Sequence, residues 1–447
     1  MTSSTNCGSG RRTAWALAYL QGGGNVKTHI VLVLAFAGVL SAAVTTHAGT
    51  ELGASWDNGI VLQSEDKSFK LRIGGRLQND WAWFEQSGEN EAYFGNIQDG
   101  TEFRRARLGV SGSVYNYIVF KAEYDFAGAG EKAQDGKASK EVAIKDAYIG
   151  VTGIPYIGTL QVGHQKEPFG LEVLTSDDYT TFMERSALVL GSYLSDRNTG
   201  FRQQAAYLAN RMTVSSGIFR ETDNGGRNSQ DGEYYAGTIR LTGLPWRNEE
   251  KRGLIHLGAA YSYRNTADIF KIELKPSPHL ALTSKSAGTG DVAMDDASFY
   301  GAEGAFVYGP FSAQAEYVIS SLDAPAAGDP SFQGYYVYAT AFVTGESRAY
   351  KDSEGVFDRV KPTKNFRQDG NGIGAVELGV RYQFVDTIDQ EILGGELTEV
   401  TVGLNWYLNP NTRVMVNYVN SSVDNSGVDG EDLGALSAFQ TRFQIDF

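Results

Sequence analysis

Basic side chains recur at alternate positions along several short segments of this chain. Nine of them share the polar face of their segments: Arg72, Arg76, Arg105, Arg107, Lys121, Arg240, Arg381, Arg413 and Arg442. A guanidinium is a planar donor whose paired N–H groups match the oxygens of carboxylates and phosphates. A ring of such groups around a pore can select anions. The pattern therefore indicates a polar surface that could hold small oxyanions.

Carboxylates assigned to the same polar faces leave a second interpretation open. Asp80, Glu123, Asp125 and Asp146 could neutralise the basic residues as ion pairs. Residue types favour an anion-selective constriction over a fully paired surface. Arg104 has the opposite parity to its neighbours, so it faces inward only if a β-bulge re-aims it.

The end of the chain shows what kind of strand carries these residues. One face is mainly apolar and consists of Phe439, Thr441, Phe443, Ile445 and Phe447. The other face is polar and consists of Gln440, Arg442, Gln444 and Asp446. A strand with lipid outside and water inside needs this alternation.

Similar alternation predicts 16 strands in an all-β chain. They lie near 69–84, 102–115, 117–126, 142–152, 158–164, 199–208, 211–220, 233–242, 253–264, 297–308, 311–322, 332–344, 373–384, 397–408, 412–423 and 438–447. An even number suits a single-chain, antiparallel transmembrane β-barrel, and a barrel of this size encloses an aqueous channel. A soluble β-sandwich would explain the alternation but not the aromatic outer faces on strand after strand.

The N-terminal segment indicates export from the cytoplasm. Ile30–Val44 is an apolar run of 15 residues, preceded by Lys27 and followed by Thr46–Ala48. This arrangement predicts a secretory signal peptide cleaved after Ala48, which would also remove the single cysteine, Cys7. The predicted organisation is an N-terminal extension with signal peptide over 1–48, a short periplasmic segment over 49–68 and the barrel over 69–447. The formal net charge of −14 argues against nucleic acid as a partner.

Two long connections could approach the channel. Segment 165–198 is rich in aromatic and apolar residues, and Pro168 and Gly170 interrupt any strand there. We expect it to fold into the lumen as the third long loop, although packing on a neighbouring subunit would also explain its apolar content. Segment 345–372 mixes acidic and basic residues, which favours a solvated external loop.

Several motifs in the chain resemble the phosphate-selective porin O and P family. They are Gly59–Gln63, Leu71–Gln78, Phe103–Arg107, Asp146–Tyr148 and Gly163–Ser186. The resemblance implies a trimeric, 16-stranded barrel of the bacterial outer membrane with an arginine-lined path and an inward-folded third loop. By motif, Arg76, Arg104 and Arg105 correspond to pore arginines, Lys121 more loosely to a lumen lysine, and Asp146 to an acid near the constriction.

The third loop departs from the pattern of phosphate-selective members. Where they place a lysine and paired serines, this chain has Val173, Ser176 and Asp177. Losing a cation and gaining an anion would weaken a phosphate site. The predicted pore-lining set is Arg72, Arg76, Arg104, Arg105, Arg107, Lys121, Asp146, Ser176 and Asp177.

The function expected from the sequence is passive uptake of small anions, such as phosphate or related oxyanions, through a porin. The alternative is a general or weakly cation-preferring porin. A barrel hydrolase would need a serine and histidine on the lipid-facing side, and only His164, His256 and His279 would survive processing. Neither an enzyme, a cofactor nor a metal site is expected. Expected partners are small anions, outer-membrane lipid and lipopolysaccharide, the barrel-assembly machinery through Phe447, and two further copies of the chain.

Overall fold

A computed structural model describes residues 51–128, 142–190, 196–227, 235–281, 287–425 and 431–447. The predicted signal peptide and its cleavage site lie outside these residues. No helix in the described ranges is long and apolar enough to cross a membrane.

The described residues form mostly β-strands. The strands are β1 (Leu52–Trp56), β2 (Ile60–Ser64), β3 (Phe69–Gln86), β4 (Gly100–Val114), β5 (Ile118–Asp125), β6 (Ala143–Ile154), β7 (Gly158–Lys166), β8 (Arg197–Tyr207), β9 (Met212–Arg220), β10 (Tyr235–Asn248), β11 (Gly253–Phe270), β12 (Glu273–Leu274), β13 (Ala287–Gly288), β14 (Val292–Tyr308), β15 (Phe311–Asp323), β16 (Ser331–Phe342), β17 (Ala349–Lys351), β18 (Val356–Asp358), β19 (Ala375–Asp389), β20 (Ile392–Asn409), β21 (Thr412–Asn425) and β22 (Glu431–Asp446). The short helices are α1 (Gly88–Phe94), α2 (Leu171–Leu174) and α3 (Ala187–Leu190), with 3-10 turns at Pro325–Ala327 and Gln368–Gly370.

Sixteen of these strands close into one antiparallel barrel, which confirms the predicted fold class. Each strand from β3 onward pairs with the next strand of the wall, and β12–β13 and β17–β18 form separate hairpins. The barrel closes where β22 pairs back onto β3, with Phe439 opposite Trp83 and Asp446 opposite Arg76. Closure leaves no free edge in the wall, as a membrane-spanning sheet requires.

The two faces of the wall differ as the alternation predicts. On β3, Trp81 and Trp83 are 44% and 43% exposed, whereas Gln78 and Asp80 of the opposite parity are buried. Apolar side chains therefore cover the outside, and polar side chains face the interior. This is the arrangement that lipid outside the barrel and polar groups inside it demand.

A short N-terminal hairpin was missed by the sequence analysis. Strands β1 and β2 lie within residues 49–68, and β2 pairs with the first part of β3, with Ile60 opposite Ile73. The last strand, β22, reaches only as far as Arg76 along β3. The hairpin therefore takes over as the neighbour of β3 where the barrel closure ends.

Residues 343–374 connect β16 to β19 at the barrel end that carries the short turns. Because successive wall strands alternate in direction, this connection shares its end with the turn at 309–310. The Phe366 amide donates to the carbonyl of Leu408 at 2.6 Å, close to the turn between β20 and β21.

The prediction that 345–372 is a solvated external loop is therefore wrong. Val356, Phe357 and Val360 are buried, as are the charged side chains of Glu346 and Arg348. Part of the charge that suggested solvation is bound within the protein. Arg348 donates to Gln314 at 3.2 Å, and its guanidinium lies 3.4 Å from the centre of the Phe357 ring.

The C-terminal residue packs against glycines of β3. The Phe447 amide donates to Gly75, whose own amide donates to the Phe447 carbonyl at 2.6 Å. A Cβ at Gly74 would lie 2.5 Å from the Phe447 carbonyl oxygen. The closure thus requires a residue without a side chain at this position.

We expect Gly74→Ala to destabilise the folded barrel by about 1–3 kcal/mol, because the methyl group must displace the chain terminus. The measurement is the temperature at which the folded, fast-migrating band disappears on semi-native gels. Gly88→Ala is the matched control, since no atom lies within 4 Å of its added Cβ. Equal melting of the two variants would contradict the proposed constraint.

Candidate functional site

A β-bulge turns Arg104 towards the interior. On β3 and β4, Gln78 pairs with Arg105 and the next residue, Asn79, pairs with Phe103, so Arg104 is the extra residue. Its Nε and Nη2 donate to the two carboxylate oxygens of Glu184 at 2.9 and 3.0 Å. The bulge thus overcomes the parity that would otherwise point Arg104 outward.

Asp177 lies at the centre of an arginine cluster. Its Oδ2 is 2.9 Å from Arg105 Nε, 3.0 Å from Arg107 Nη1 and 3.8 Å from Arg76 Nη1, and Oδ1 contacts Arg185. One loop carboxylate therefore contacts four guanidiniums, three of them from β3 and β4. A buried carboxylate in this position compensates charges that would otherwise repel each other.

Glu184 makes a second cluster. Besides Arg104, its Oε1 lies 2.6 Å from Arg442 Nη2 and 3.8 Å from Arg105 Nη1. Arg442 is fully buried and is also held by Asp80 at 2.6 Å. The two clusters share Arg105, so the acids of one connection between strands bind the arginine-rich wall at two points.

The remaining predicted site residues are placed less centrally. Lys121 lies 2.5 Å from Asp146, which also pairs with Arg197 at 2.9 Å. The Ser176 hydroxyl donates to Asp178 within its own turn at 3.1 Å. Two other positions, Arg72 and Val173, are placed differently from what the sequence suggested.

Arg72 does not join the other arginines. It pairs with Asp57 of the N-terminal hairpin at 2.7 Å, and both side chains are substantially exposed. This part of β3 lies beyond the end of β22.

Val173 packs in an apolar cluster and is 1% exposed. A charged side chain at position 173 would therefore be buried among apolar groups.

The connection between β7 and β8, residues 167–196, is loop 3, and interior side chains hold its backbone. Arg413 donates to the Thr180 carbonyl at 2.7 Å, and Asn405 donates to that of Thr181 at 2.8 Å. Arg442 and Arg381 donate to the carbonyls of Met183 and Glu184. Three arginines that the sequence assigned to an anion path thus bind protein carbonyls.

Glu316 of β15 fixes the other side of loop 3. Its carboxylate accepts hydrogen bonds from the amides of Leu171 and Glu172 at 2.9 and 2.6 Å, at the start of α2. Glu172 in turn accepts from the amide and hydroxyl of Ser186 at 2.9 and 2.7 Å. Sequence analysis missed Glu316, because nothing in its local pattern signals a partner in loop 3.

One side of the interior is filled by apolar side chains, and the other carries charged groups. Phe169, Phe182 and Leu188 of loop 3 belong to one buried apolar cluster with Tyr336 and Phe299 of the wall. Asp177 and Glu184 of loop 3 contact β3 and β4 instead. Apolar packing therefore fixes loop 3 against β14 to β16, and ion pairs fix its other face.

Residues 343–374 also contact inward-facing side chains. The Gly355 carbonyl accepts from Arg240 at 2.8 Å, and the Tyr350 hydroxyl lies 2.6 Å from His256 Nδ1. Arg359 donates to the Tyr179 hydroxyl of loop 3 at 3.1 Å. The two segments thus contact each other.

Two cavities adjoin these clusters. The outer cavity, of about 510 Å³, lies on the side of the long connections that contain Phe94 and Pro276. Its basic lining residues are Arg104, Arg105, Arg107, Lys145, Arg185 and Lys275. Its acidic lining residues are Asp177, Glu184, Asp196 and Glu273. Basic residues therefore outnumber acids around the outer cavity.

The inner cavity, of about 160 Å³, lies along β6 to β8. Lys166 and Arg202 line it together with Asp146 and Glu354. Neither Lys166 nor Arg202 forms an ion pair with a described residue, and the same holds for Lys145 in the outer cavity. The sequence analysis selected none of these three, because it chose arginine-rich motifs rather than single basic residues.

No group of three or more potential metal ligands occurs within the described parts of the chain. The three remaining histidines are used differently. His256 Nε2 lies 3.0 Å from Glu303, and His279 Nδ1 lies 2.7 Å from Glu102. His164 Nδ1 lies within 3.4 Å of the hydroxyls of Thr199 and Thr222.

A closed transmembrane barrel with a polar, charged interior and cavities inside the wall defines the class of outer-membrane porins. The chain belongs to the family described as Phosphate-selective porin O and P, whose model matches residues 71–447. It is 28% identical over 450 residues to Porin O of Pseudomonas aeruginosa, covering 93% of this chain and 97% of that protein. An uncharacterised protein of Caulobacter vibrioides is also 28% identical, covering 90% of this chain and 78% of that one.

Solved porins share the fold at low sequence identity. An anion-selective porin from Comamonas acidovorans matches with a TM-score of 0.51 at 12% identity, covering 85% of this chain and all of that one. OprB of Pseudomonas putida matches with a TM-score of 0.55 at 10% identity, covering 86% and 95%. These likenesses support the barrel architecture. The family match and the similarity to Porin O indicate the bacterial outer membrane.

Asp177 and Glu184 of loop 3 should remain ionised in mild acid. Burial alone would raise the pKa of Asp177, but Arg105, Arg185 and Arg107 outweigh it and hold that pKa well below its usual value. At Glu184, burial would likewise raise the pKa, but Arg104, Arg105 and Arg442 outweigh it and hold that pKa well below its usual value. A depressed pKa stabilises the folded state above the ordinary carboxyl pKa of about 4 and loses that effect as the pH falls further.

We therefore expect loop 3 to be equally protected at pH 7 and pH 5 and to lose protection only below about pH 4. Hydrogen–deuterium exchange of peptides covering 171–190 measures this, with rates corrected for the intrinsic effect of pH. Peptides from β14 serve as the internal control. Loss of protection already at pH 5 would contradict the role given to Asp177 and Glu184.

Proposed function

We propose that this porin passes small solutes with a preference for anions. The observation that carries the proposal is a pair of basic residues that lack an acidic partner among the described residues, Lys145 and Arg202. Lys166 lacks one too, but its ammonium donates to the carbonyls of Val173 and Thr175. They line cavities along neighbouring strands, β6 to β8. Unpaired positive charge in a confined passage lowers the energy of an anion and raises that of a cation.

We further propose that loop 3 folds into the lumen and narrows the passage. Its support is the number of inward-facing groups that bind it, from Arg413 and Asn405 on one side to Glu316 on the other. The passage would then follow β3 to β8, because apolar packing fills the opposite side. Residues 343–374 would narrow it from the short-turn end.

The predicted pore arginines act mainly as structure in this proposal. Arg105 and Arg107 bind Asp177, and Arg104 binds Glu184, so their charge is largely compensated. A phosphate ion would have to compete with an intramolecular carboxylate for the same donors. We therefore propose that phosphate passes without tight binding, which accords with the altered third loop.

The same neutralised clusters favour the second candidate, a general diffusion porin with little charge preference. The two proposals differ in one measurable quantity, the reversal potential across a salt gradient. The assembly proposed is a homotrimer in the outer membrane, in line with the family. The signal peptide, the periplasmic location of 49–68, and contacts with lipopolysaccharide and the assembly machinery through Phe447 remain proposals.

We expect Lys145→Glu and Arg202→Glu each to shift the reversal potential towards cations in planar bilayers. The shift should be largest at low salt, where ions screen the interior charges least. Arg72→Glu is the matched control, because Arg72 is exposed and lies away from the cavities. A native channel that prefers cations, or variants that match the control, would contradict the proposed anion preference.

Asp177→Ser should free Arg105 and Arg107 to bind phosphate. The expected result is a roughly tenfold lower phosphate concentration for half-block of chloride current, the effect of one or two charge-assisted hydrogen bonds. Asp291→Ser is the control, since Asp291 is exposed and has no ion pair with a described residue. Strong block of the native channel by micromolar phosphate would show that Asp177 does not occupy these donors.

A further inference from the structure

We propose that the outer cavity binds organic anions that carry an apolar body, such as aliphatic carboxylates. This inference rests on the proposed anion preference and names the class of solute that the cavity fits. It comes from the apolar side chains that line the cavity together with the basic residues described above, here called the apolar wall and the basic wall.

The basic wall offers a head group its donors. Arg104 is the most exposed of the clustered arginines on β4, with 17% of its side chain accessible, compared with 6% for Arg105 and Arg107. Its Nε and Nη2 bind Glu184, and no hydrogen bond of its Nη1 with a described residue is present. Lys145 adds an ammonium group without an ion pair to a described residue.

The apolar wall comes from separate parts of the chain. Phe94 and Ile97 follow β3, and Leu274, Pro276 and Pro278 precede β14. Val423 lies on β21 and Leu436 on β22. Most of the side chains on this wall have no hydrogen-bonding group. A passage adapted only to hydrated inorganic ions gains nothing from such a surface, because apolar groups cannot replace the lost water.

Hydrogen bonds fix the apolar wall in place. The Ile97 amide donates to the Gln86 side chain at 2.7 Å, and that side chain also donates to the Gly95 carbonyl at 3.0 Å. Ser277, between the two prolines, donates its amide to Glu399 of β20 at 2.8 Å. The wall is therefore built on the barrel rather than on a free loop, and little ordering is required on binding.

An organic anion can satisfy both walls at once. Its carboxylate would lie against Arg104 and Lys145, and its hydrocarbon part would cover Ile97 and the prolines. Apolar area removed from water adds affinity in proportion to its size. Inorganic phosphate and acetate offer the head group without the body, so they separate the contribution of charge from that of the apolar wall.

The test is block of chloride current in planar bilayers by acetate, butyrate, hexanoate and phosphate. We expect the half-blocking concentration to fall by about two- to fourfold for each methylene group added to the carboxylate. Ile97→Ser should weaken hexanoate block by about threefold and acetate block much less. Pro276→Ala, a milder change in the same wall, should shift hexanoate block in the same direction.

Ile373→Ser is the matched control, because Ile373 is exposed at the short-turn end and lines neither cavity. Each variant is first shown to keep the heat-resistant folded band. Equal block by acetate and hexanoate, or equal effects of Ile97→Ser and Ile373→Ser, would overturn the inference. If the reversal potential still shows anion preference, the proposed function survives that failure; a cation-preferring channel would remove both.

Discussion

The arrangement of the whole interior depends on which acidic groups neutralise the buried guanidiniums. Arginines on neighbouring strands repel one another in a setting of low dielectric, and each loses water on burial. Asp177 and Glu184 meet this requirement from a single loop, so Arg105 is held by both. Removing one partner of such a cluster would leave an uncompensated charge, which is why loop and wall act as one unit.

This compensation decides which charges can act on solutes. An arginine that binds a carboxylate or a backbone carbonyl has used its donors, as Arg381 and Arg413 show. In the proposed function, the field in the passage then comes from the basic residues left over, such as Lys145. Under the proposed function, one acidic residue of loop 3, Asp177, would compensate arginines that could otherwise bind an anion.

Apolar packing gives the interior its asymmetry. Loop 3 places Phe182 and Leu188 against one side of the wall, and Asp177 and Glu184 against the other. Water is excluded where the aromatic groups meet, and it remains where charged groups line cavities. The outer cavity combines both kinds of surface, which is the physical basis for assigning it an amphiphilic anion.

The sequence by itself determined the barrel, since alternation along each strand records lipid on one side and water on the other, and strand count follows from it. It also placed Arg105 and Arg107 inside by parity. Only the tertiary structure decided the inward turn of Arg104, which follows from the register of β3 and β4. It also decided that Val356, Phe357 and Val360 of the connection 343–374 are buried. The contact of Asp177 with the arginines was decided there too, because long-range ion pairs leave no periodic signal along the chain.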